Sequence, residues 1–149
     1  MHNENKFVKE RMSVMFKKTI SVVGAVVINS KDEVLCALRS PVMSLPNLWE
    51  FPGGKIEPGE RPEESLFREI QEELNCTIQV DAHIETTRYE YEKVIVELST
   101  FQSTIVSGAP EALEHAELRW VPVKQLDSLN WAPADVPAVE KIMKAFSTK

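Results

Sequence analysis

Apolar and polar positions along the first fifty residues predict two strands and a loop. Residues 20–28 form an almost continuous run of apolar, largely β-branched residues and predict a central β-strand. Residues 33–39 predict a second strand, and the polar turn at 29–32 suggests that the two strands form a hairpin. Two prolines make 40–48 a predicted loop, and 49–52 predicts a short extended segment.

An amphipathic helix is predicted from Pro62 to the residue before Asn75. Proline suits the first helical position because its missing N–H would have no partner there. Asparagine is second to glycine as a left-handed cap after the last helical residue. The apolar face that recurs at helical spacing consists of Leu66, Phe67, Ile70 and Leu74. Helical periodicity therefore begins at residue 62 and ends before the stop signal at Asn75.

Strands return after this helix, and a second helix closes the chain. Strands are predicted at 77–87, 94–106 and 118–121, and a short helical turn at 123–126. From residue 135 the apolar positions Val136, Val139, Ile142 or Met143, and Phe146 predict a C-terminal helix. This order of elements predicts an α+β fold, or a mixed α/β sandwich. We expect a flexible N-terminal extension at 1–18 and one domain over 19–149.

Charge and composition narrow the possible partners. The 149 residues carry a formal net charge of −6, which argues against broad binding of a nucleic acid polymer. Cys36 and Cys76 have apolar neighbours and are predicted to be small core residues. No apolar run is long enough to cross a membrane, and the N-terminal apolar segment is too short for a signal-peptide core. We therefore expect a cytoplasmic protein without a membrane partner.

Three glutamates on the central helix are candidates for a metal site. Glu69, Glu72 and Glu73 occupy positions i, i+3 and i+4, so their carboxylates share one face and repel each other. A divalent cation such as Mg²⁺, which prefers oxygen ligands and often brings a substrate phosphate, would relieve that repulsion. A solvated acidic face is the alternative. The neighbouring Arg68 and the turn rich in glycine and proline before the helix favour the metal site.

The spacing of these residues resembles the signature of the Nudix hydrolases. Gly54 is followed after five residues by Glu60, and Glu60 after seven residues by the run Arg68-Glu69-Ile70-Gln71-Glu72-Glu73. The family signature ends in glycine and an aliphatic residue, where this chain has Asn75 and Cys76. The resemblance implies a mixed β-sheet sandwiched between helices over about residues 19–147.

The same resemblance implies roles for the residues of this chain that match the signature. Mg²⁺, with Mn²⁺ able to replace it, would be held by Glu72, Glu73, Glu69 and the carbonyl of Gly53, with Glu69 an alternative general base. Arg68 would orient a glutamate through a charge-assisted hydrogen bond, and Glu60 would support that arrangement. The implied reaction is substitution at phosphorus by water.

Outside the signature, further residues resemble positions of MutT-like nucleoside triphosphate pyrophosphohydrolases. Residues 49–57 resemble the segment that enters the signature in those enzymes, and Arg39 resembles their phosphate-binding arginine. Asp135 resembles the residue that reads the base in MutT-like and CTP-preferring enzymes; the alternative is a helix N-cap, and one carboxylate could serve both purposes. Glu114 resembles an additional metal-contacting carboxylate, with Glu111 and Glu117 as alternatives. His115 is expected at the surface.

The implied activity is Mg²⁺-dependent hydrolysis of nucleoside triphosphates to a monophosphate and pyrophosphate. Cytosine nucleotides and oxidised or modified nucleotides are the candidate substrates, as in enzymes that cleanse the nucleotide pool. One alternative is hydrolysis of another nucleoside diphosphate derivative such as ADP-ribose or a dinucleotide. Another is a nucleotide-binding regulator that has lost catalysis. We expect a small-molecule nucleotide as partner and a monomer or homodimer.

Overall fold

The structure, a computed structural model, describes residues 16–147. These residues form two β-sheets and two helices. The strands are β1 (Lys18–Val27), β2 (Glu33–Leu38), β3 (Trp49–Glu50), β4 (Gly53–Lys55), β5 (Thr77–Glu90), β6 (Val94–Ser107) and β7 (Glu117–Pro122). The helices are α1 (Pro62–Leu74) and α2 (Val136–Ser147), with 3-10 segments at Val123–Ser128 and Pro133–Asp135. Most of the predicted extension at 1–18 lies outside the described residues.

The larger sheet has the strand order β4-β1-β6-β5 and mixes the two kinds of pairing. β1 pairs with β6 in parallel, whereas β1–β4 and β5–β6 are antiparallel. The smaller sheet has the order β3-β2-β7 and is antiparallel throughout. The predicted α+β fold with a mixed sheet is confirmed.

The predicted hairpin of β1 and β2 is wrong, because the two strands lie in different sheets. The turn between them is real: the side chain of Asn29 accepts hydrogen bonds from the N–H groups of Lys31 and Glu33. An isolated bridge joins Ile28 and Val34, and the strands then separate. β1 instead pairs with β4 and β6, which come later in the chain.

The C-terminal half of β1 is buried on both faces, and this places it between the helices. Val23, Ala25 and Val27 pack in one core cluster with three residues of α1, Leu66, Ile70 and Leu74. Val26, which points to the opposite face, packs in a second cluster with Val139 and Ile142 of α2. Cys36 and Cys76 are buried free thiols, as predicted.

Helix α1 has the predicted ends. Pro62 lies at its start, and Asn75 adopts the left-handed conformation with φ 53° and ψ 42°. Phe67 was expected on the apolar face but is 40% exposed, because Leu66, Ile70 and Leu74 already form the stripe that faces the core. Val136 of α2 is likewise exposed, contrary to prediction. No helix among residues 16–147 is both long enough and apolar enough to cross a membrane.

Candidate active site

The glycine pair in β4 brings the backbone close to two other parts of the fold. A Cβ on Gly53 would overlap the carbonyl oxygen of Val23, because Gly53 pairs closely with β1. A Cβ on Gly54 would overlap the carboxylate of Glu69 on α1. Gly53 is therefore required by the sheet, and Gly54 by the position of a candidate catalytic side chain. Both glycines line the cavity described below.

Arg68 joins the turn before α1 to the glutamates on the helix. Its Nε and Nη2 donate to the two oxygens of Glu60, both at 2.8 Å, in a bidentate pair. Its Nη1 donates to Glu69 Oε1 at 2.9 Å and to Glu72 Oε2 at 3.2 Å. Hydrogen bonds from Arg68 hold the pKa of Glu60 down at about 2, so Glu60 remains an anion. The guanidinium thus fixes three carboxylates at once.

Glu73, the third glutamate of this helical face, is not among the carboxylates that Arg68 binds. Its Oε2 is buried without a hydrogen bond from any described residue. Burial first, and then the negative charges of Glu69, Glu114 and Glu50, raise the pKa of Glu73 to about 9. A buried carboxylate among other carboxylates is unfavourable unless a cation joins it.

The carboxylate oxygens of Glu69, Glu72 and Glu73 are chemically suited to bind a divalent cation. Glu69 and Glu72 each accept a hydrogen bond from Arg68 with one oxygen, and Glu73 Oε2 has no partner among the described residues. Within residues 16–147, no three His, Cys, Asp or Glu side chains are already gathered as a metal site. The carboxylates are hard oxygen ligands of the kind that Mg²⁺ and Mn²⁺ take. The orphaned oxygen of Glu73 is the observation that supports the fit.

A cavity of about 520 Å³ opens beside these carboxylates. Its ionisable lining includes Glu73, Glu50, Arg39 and Asp135. Part of its apolar lining comes from β1 and β6: Ile20, Val22, Val94, Val96 and Leu98. One cavity therefore joins the candidate metal ligands to an apolar wall, as a nucleotide with a charged and a flat end requires.

Arg39, the predicted phosphate-binding residue, lies on the wall of this cavity. It donates to the carbonyl of Ser44 at 2.6 Å and to its hydroxyl at 3.0 Å. A third hydrogen bond, at 2.6 Å, joins Arg39 Nη1 to Glu50 Oε1. The guanidinium is thus held in place beside the space that a substrate would occupy.

Asp135 does not cap α2, so that part of the prediction is wrong. Its Oδ1 accepts a hydrogen bond of 3.0 Å from the backbone N–H of Phe51, which is 84 residues away in the chain. The side chain is buried on the cavity wall. Burial, and then the charge of Glu50, raise the pKa of Asp135 well above its ordinary value. A neutral carboxyl group is able both to donate and to accept a hydrogen bond.

The loop before β7 places Glu114 and His115 in different environments. Glu114 is exposed, yet its charge contributes to the raised pKa of Glu73, so it lies on the side of the metal candidates. Glu117 instead pairs with Arg119 at 2.8 Å, and Glu111 is exposed. His115 was expected at the surface, but it is buried, and its Nε2 bonds to Glu50 Oε2 at 2.8 Å.

Glu50 is the residue of this site that sequence reasoning missed. It binds Arg39 with one oxygen and His115 with the other. A signal was present in the extended segment 49–52, since Trp49 and Phe51 both pack in the core. Alternation in an extended chain turns the residue between them to the opposite side. A charged residue flanked by two buried aromatic residues was a candidate for a site.

Comparison with known proteins agrees with the fold and the signature. The family model described as "NUDIX domain" matches residues 18–144. A CTP pyrophosphohydrolase of Escherichia coli (strain K12) is 33% identical over 126 residues, which cover 85% of this chain and 93% of that protein. An 8-oxo-dGTP diphosphatase of the same strain is 29% identical over 127 residues, covering 85% and 98%.

Among solved structures, the chain is similar to a MutT protein from methicillin-resistant Staphylococcus aureus 252, studied by solution NMR. That protein is described as a DNA mismatch repair protein of the family Nudix hydrolase. The two are 48% identical and superpose with a TM-score of 0.72, covering 87% of this chain and 99% of the other. The likeness extends over nearly the whole of that chain and is not confined to the helix with its glutamates.

Proposed function

The chain belongs to the Nudix family, and on that premise we propose that it is a Mg²⁺-dependent nucleoside triphosphate pyrophosphohydrolase. Its relatives include proteins named for CTP and for 8-oxo-dGTP, both of them nucleoside triphosphates. Water would cleave a phosphoanhydride bond to release a nucleoside monophosphate and pyrophosphate. We infer that residues 19–149 form the catalytic unit, in keeping with the matched range 18–144.

One observation carries this proposal: the buried, unpartnered carboxylate oxygen of Glu73 beside a cavity that Arg39 also lines. The carboxylate needs a cation, and the arginine is suited to an anion. A nucleoside triphosphate with its metal ion has both charges. The cavity volume of about 520 Å³ is of the size that small-molecule sites usually have.

The chain's own residues would divide the work as follows. Glu69, Glu72, Glu73, the carbonyl of Gly53 and Glu114 would hold the metal ion. When bound, that ion would lower the pKa of a water molecule and neutralise charge that develops on the phosphates. Arg68 keeps Glu69 and Glu72 in place, and Glu60 keeps Arg68 in place through the bidentate pair.

Other residues that line the cavity would bind the substrate. Arg39 would donate to phosphate oxygens, because its guanidinium has a planar set of donors that matches them. Asp135 would contact the edge of the base, and the apolar strands β1 and β6 would cover its face. A neutral Asp135 would donate to an acceptor and accept from an amino group, so cytosine and an oxidised guanine are both compatible. This property agrees with the mixed names of the relatives.

The test is a substrate panel with purified protein. Release of pyrophosphate is measured from CTP, dCTP, GTP, dGTP and 8-oxo-dGTP. ADP-ribose and a dinucleotide represent the alternative class, and their cleavage, which yields no pyrophosphate, is measured as release of a nucleoside monophosphate. Each reaction is run with Mg²⁺ and with a chelator. We expect Mg²⁺-dependent release from at least one triphosphate. Cleavage of ADP-ribose or the dinucleotide without cleavage of triphosphates would contradict the proposal, and so would binding of nucleotides without turnover.

Glu73→Gln is the control variant for this panel. The amide preserves the shape of the side chain and removes the charge that a metal ion needs. We expect a folded protein with most of its activity lost. Turnover close to that of the wild type in saturating Mg²⁺ would show that Glu73 is not a ligand.

A further inference from the structure

His115 is buried in the middle of an exposed loop. Its side chain has no accessible surface, whereas residues 111–114 and 116 are exposed. Nδ1 of the ring is buried without a partner in the part of the chain that the structure describes, and Nε2 makes a bond of 2.8 Å to Glu50 Oε2. Burial of a polar ring has a free-energy cost that a single apolar residue in the same place would not have. The bond to Glu50 is therefore the property of His115 that an apolar residue could not supply.

Glu50 connects this bond to the substrate side of the cavity. Its Oε1 accepts the hydrogen bond from Arg39, so Glu50 joins Arg39 and His115 through two hydrogen bonds. These two residues are 76 positions apart in the sequence. Both Glu50 and Arg39 line the cavity. With one oxygen held on each side, the carboxylate of Glu50 has little freedom to rotate.

The rest of the loop is anchored at two points by backbone bonds. The N–H of Glu111 donates to the carbonyl of Leu74 at the end of α1, and the N–H of Ala116 donates to the carbonyl of Leu38 in β2, both at 2.9 Å. Glu114 lies between these points and is adjacent to His115. Its side chain is exposed and has no ion pair among the described residues.

We propose that His115 is a positioning residue, whose bond to Glu50 seats the loop so that Glu114 is held towards Glu73 and the candidate metal site. The inference rests on the proposed function, since it assigns a purpose to Glu114 as a metal-contacting carboxylate. His115 itself touches neither metal nor substrate. It acts through the loop backbone on Glu114, and through Glu50 on Arg39.

Two amide variants separate the bond from the bulk of the side chain. In His115→Gln the amide nitrogen reaches about as far from the backbone as Nε2 and can donate to Glu50. In His115→Asn the amide is shorter, stands where Nδ1 stood, and fails to reach Glu50. Because both replacements are neutral amides, a difference between them reports the hydrogen bond and not the loss of the ring.

The primary measurement is binding of Mn²⁺ to the protein without nucleotide. Binding is monitored by the decrease in the electron paramagnetic resonance signal of free Mn²⁺. We expect His115→Asn to weaken binding about tenfold or more, as is usual when a partner outside the ligand shell is removed. His115→Gln should lie near the wild type. The Mg²⁺ concentration that gives half-maximal activity should likewise be higher for His115→Asn than for His115→Gln and the wild type. Equal Mn²⁺ binding by the two variants and the wild type would overturn the proposal.

A double variant tests whether His115 acts through Glu114. In a Glu114→Gln protein, His115→Asn should cause little additional loss of Mn²⁺ affinity, because the residue that it positions has already lost its charge. Losses that add fully would overturn the proposal. Should His115→Asn not fold, Glu50→Asp withdraws the carboxylate from His115 Nε2 and must weaken Mn²⁺ binding; unchanged binding would overturn the proposal.

These measurements keep the two inferences apart. A wild-type protein that binds Mn²⁺ with the expected differences among the His115 variants, yet cleaves no triphosphate, would refute the proposed function alone. Triphosphate cleavage that depends on Glu73 but is equal in His115→Asn and His115→Gln, at every Mg²⁺ concentration, would refute the role of His115 alone.

Discussion

Glu69 holds its carboxylate directly against the Cα of Gly54, in the space that a side chain on residue 54 would occupy. Gly53, one residue earlier, is equally crowded, but there the neighbour is the backbone carbonyl of Val23. Adjacent glycines are therefore required for different reasons. Gly54 leaves room for the flexible end of a candidate catalytic side chain, and Gly53 leaves room for a paired strand.

Alanine substitutions should separate these two requirements. Gly54→Ala displaces the carboxylate of Glu69, and we expect kcat to fall about a hundredfold, since a shift of about 1 Å in a catalytic group has effects of that size. Gly53→Ala forces the backbone of β4 away from β1, and we expect a loss of about 1–3 kcal/mol in the free energy of unfolding. Urea unfolding and steady-state kinetics on both variants provide the measurement. Loss of stability in Gly54→Ala with unchanged kcat would contradict the assignment.

Arg68 should be intolerant of lysine. The guanidinium makes a bidentate pair with Glu60 and reaches Glu69 and Glu72 as well, and an ammonium group has no planar set of donors with which to do this. We expect Arg68→Lys to lower kcat about tenfold to a hundredfold, as for other residues that orient metal ligands.

The exposed pair of Arg61 and Glu64, at the start of the same helix, is the matched control. Their charged groups are 2.9 Å apart, but the side chains are 76% and 56% exposed. Such pairs contribute about 0.3–0.5 kcal/mol, so Arg61→Lys should leave kcat and Tm nearly unchanged. Equal kinetic effects at positions 61 and 68 would show that Arg68 acts through helix stability alone.

The helix that carries these residues was predictable because its signals are local. Pro62 and Asn75 mark its ends through their own backbone preferences, and Leu66, Ile70 and Leu74 mark its buried stripe. The pairing of β1 was not predictable in this way. Its neighbours, β4 and β6, are selected by the packing of the whole sheet, and the local turn at Asn29 gave the misleading indication of a hairpin.

The same division separates the site residues. The spacing of Glu69, Glu72 and Glu73 on one helical face follows from their sequence positions alone. The burial of His115 and the bond from Phe51 to Asp135 depend on residues 65 and 84 positions away. Local rules made His115 a surface residue of an acidic loop and Asp135 a helix cap, and long-range contacts overrode both.

Asn75→Gly should be neutral or stabilising by less than about 1 kcal/mol. Asn75 has φ 53°, where glycine has no steric cost and asparagine a small one. Asn75→Ala is the control and should lose about 1 kcal/mol, because a Cβ without a local polar partner is disfavoured in this region. Urea unfolding measures both. A destabilised glycine variant would show that the side chain of Asn75 contributes more than its backbone conformation.

Asp135→Asn should stabilise the protein increasingly as the pH rises. The unfolded carboxyl group ionises near its ordinary pKa of 3.8, whereas burial keeps the folded group neutral well above that value. Between these two pKa values the folded state binds an extra proton, so wild-type stability falls as the pH rises. Asparagine preserves the acceptor for Phe51 and has no charge to bury. We expect the Tm difference between variant and wild type to be smallest below pH 3.8 and to widen above it; a constant difference would contradict a raised pKa.

The protonation of Asp135 should also control which base the enzyme prefers. A neutral carboxyl group donates one hydrogen bond and accepts others, so it can meet both an acceptor such as guanine O6 and a donor such as cytosine N4. An ionised carboxylate only accepts, and it therefore disfavours the acceptor. As the pH rises through the pKa of Asp135, the ratio of kcat/KM for CTP to that for GTP should increase in the wild type by about tenfold, or about 1.4 kcal/mol of differential binding. Asp135→Asn does not titrate at this position, so its ratio reports any ionisation of the bases themselves. Wild-type and variant ratios that change in parallel with pH would show that Asp135 holds Phe51 in place without reading the base.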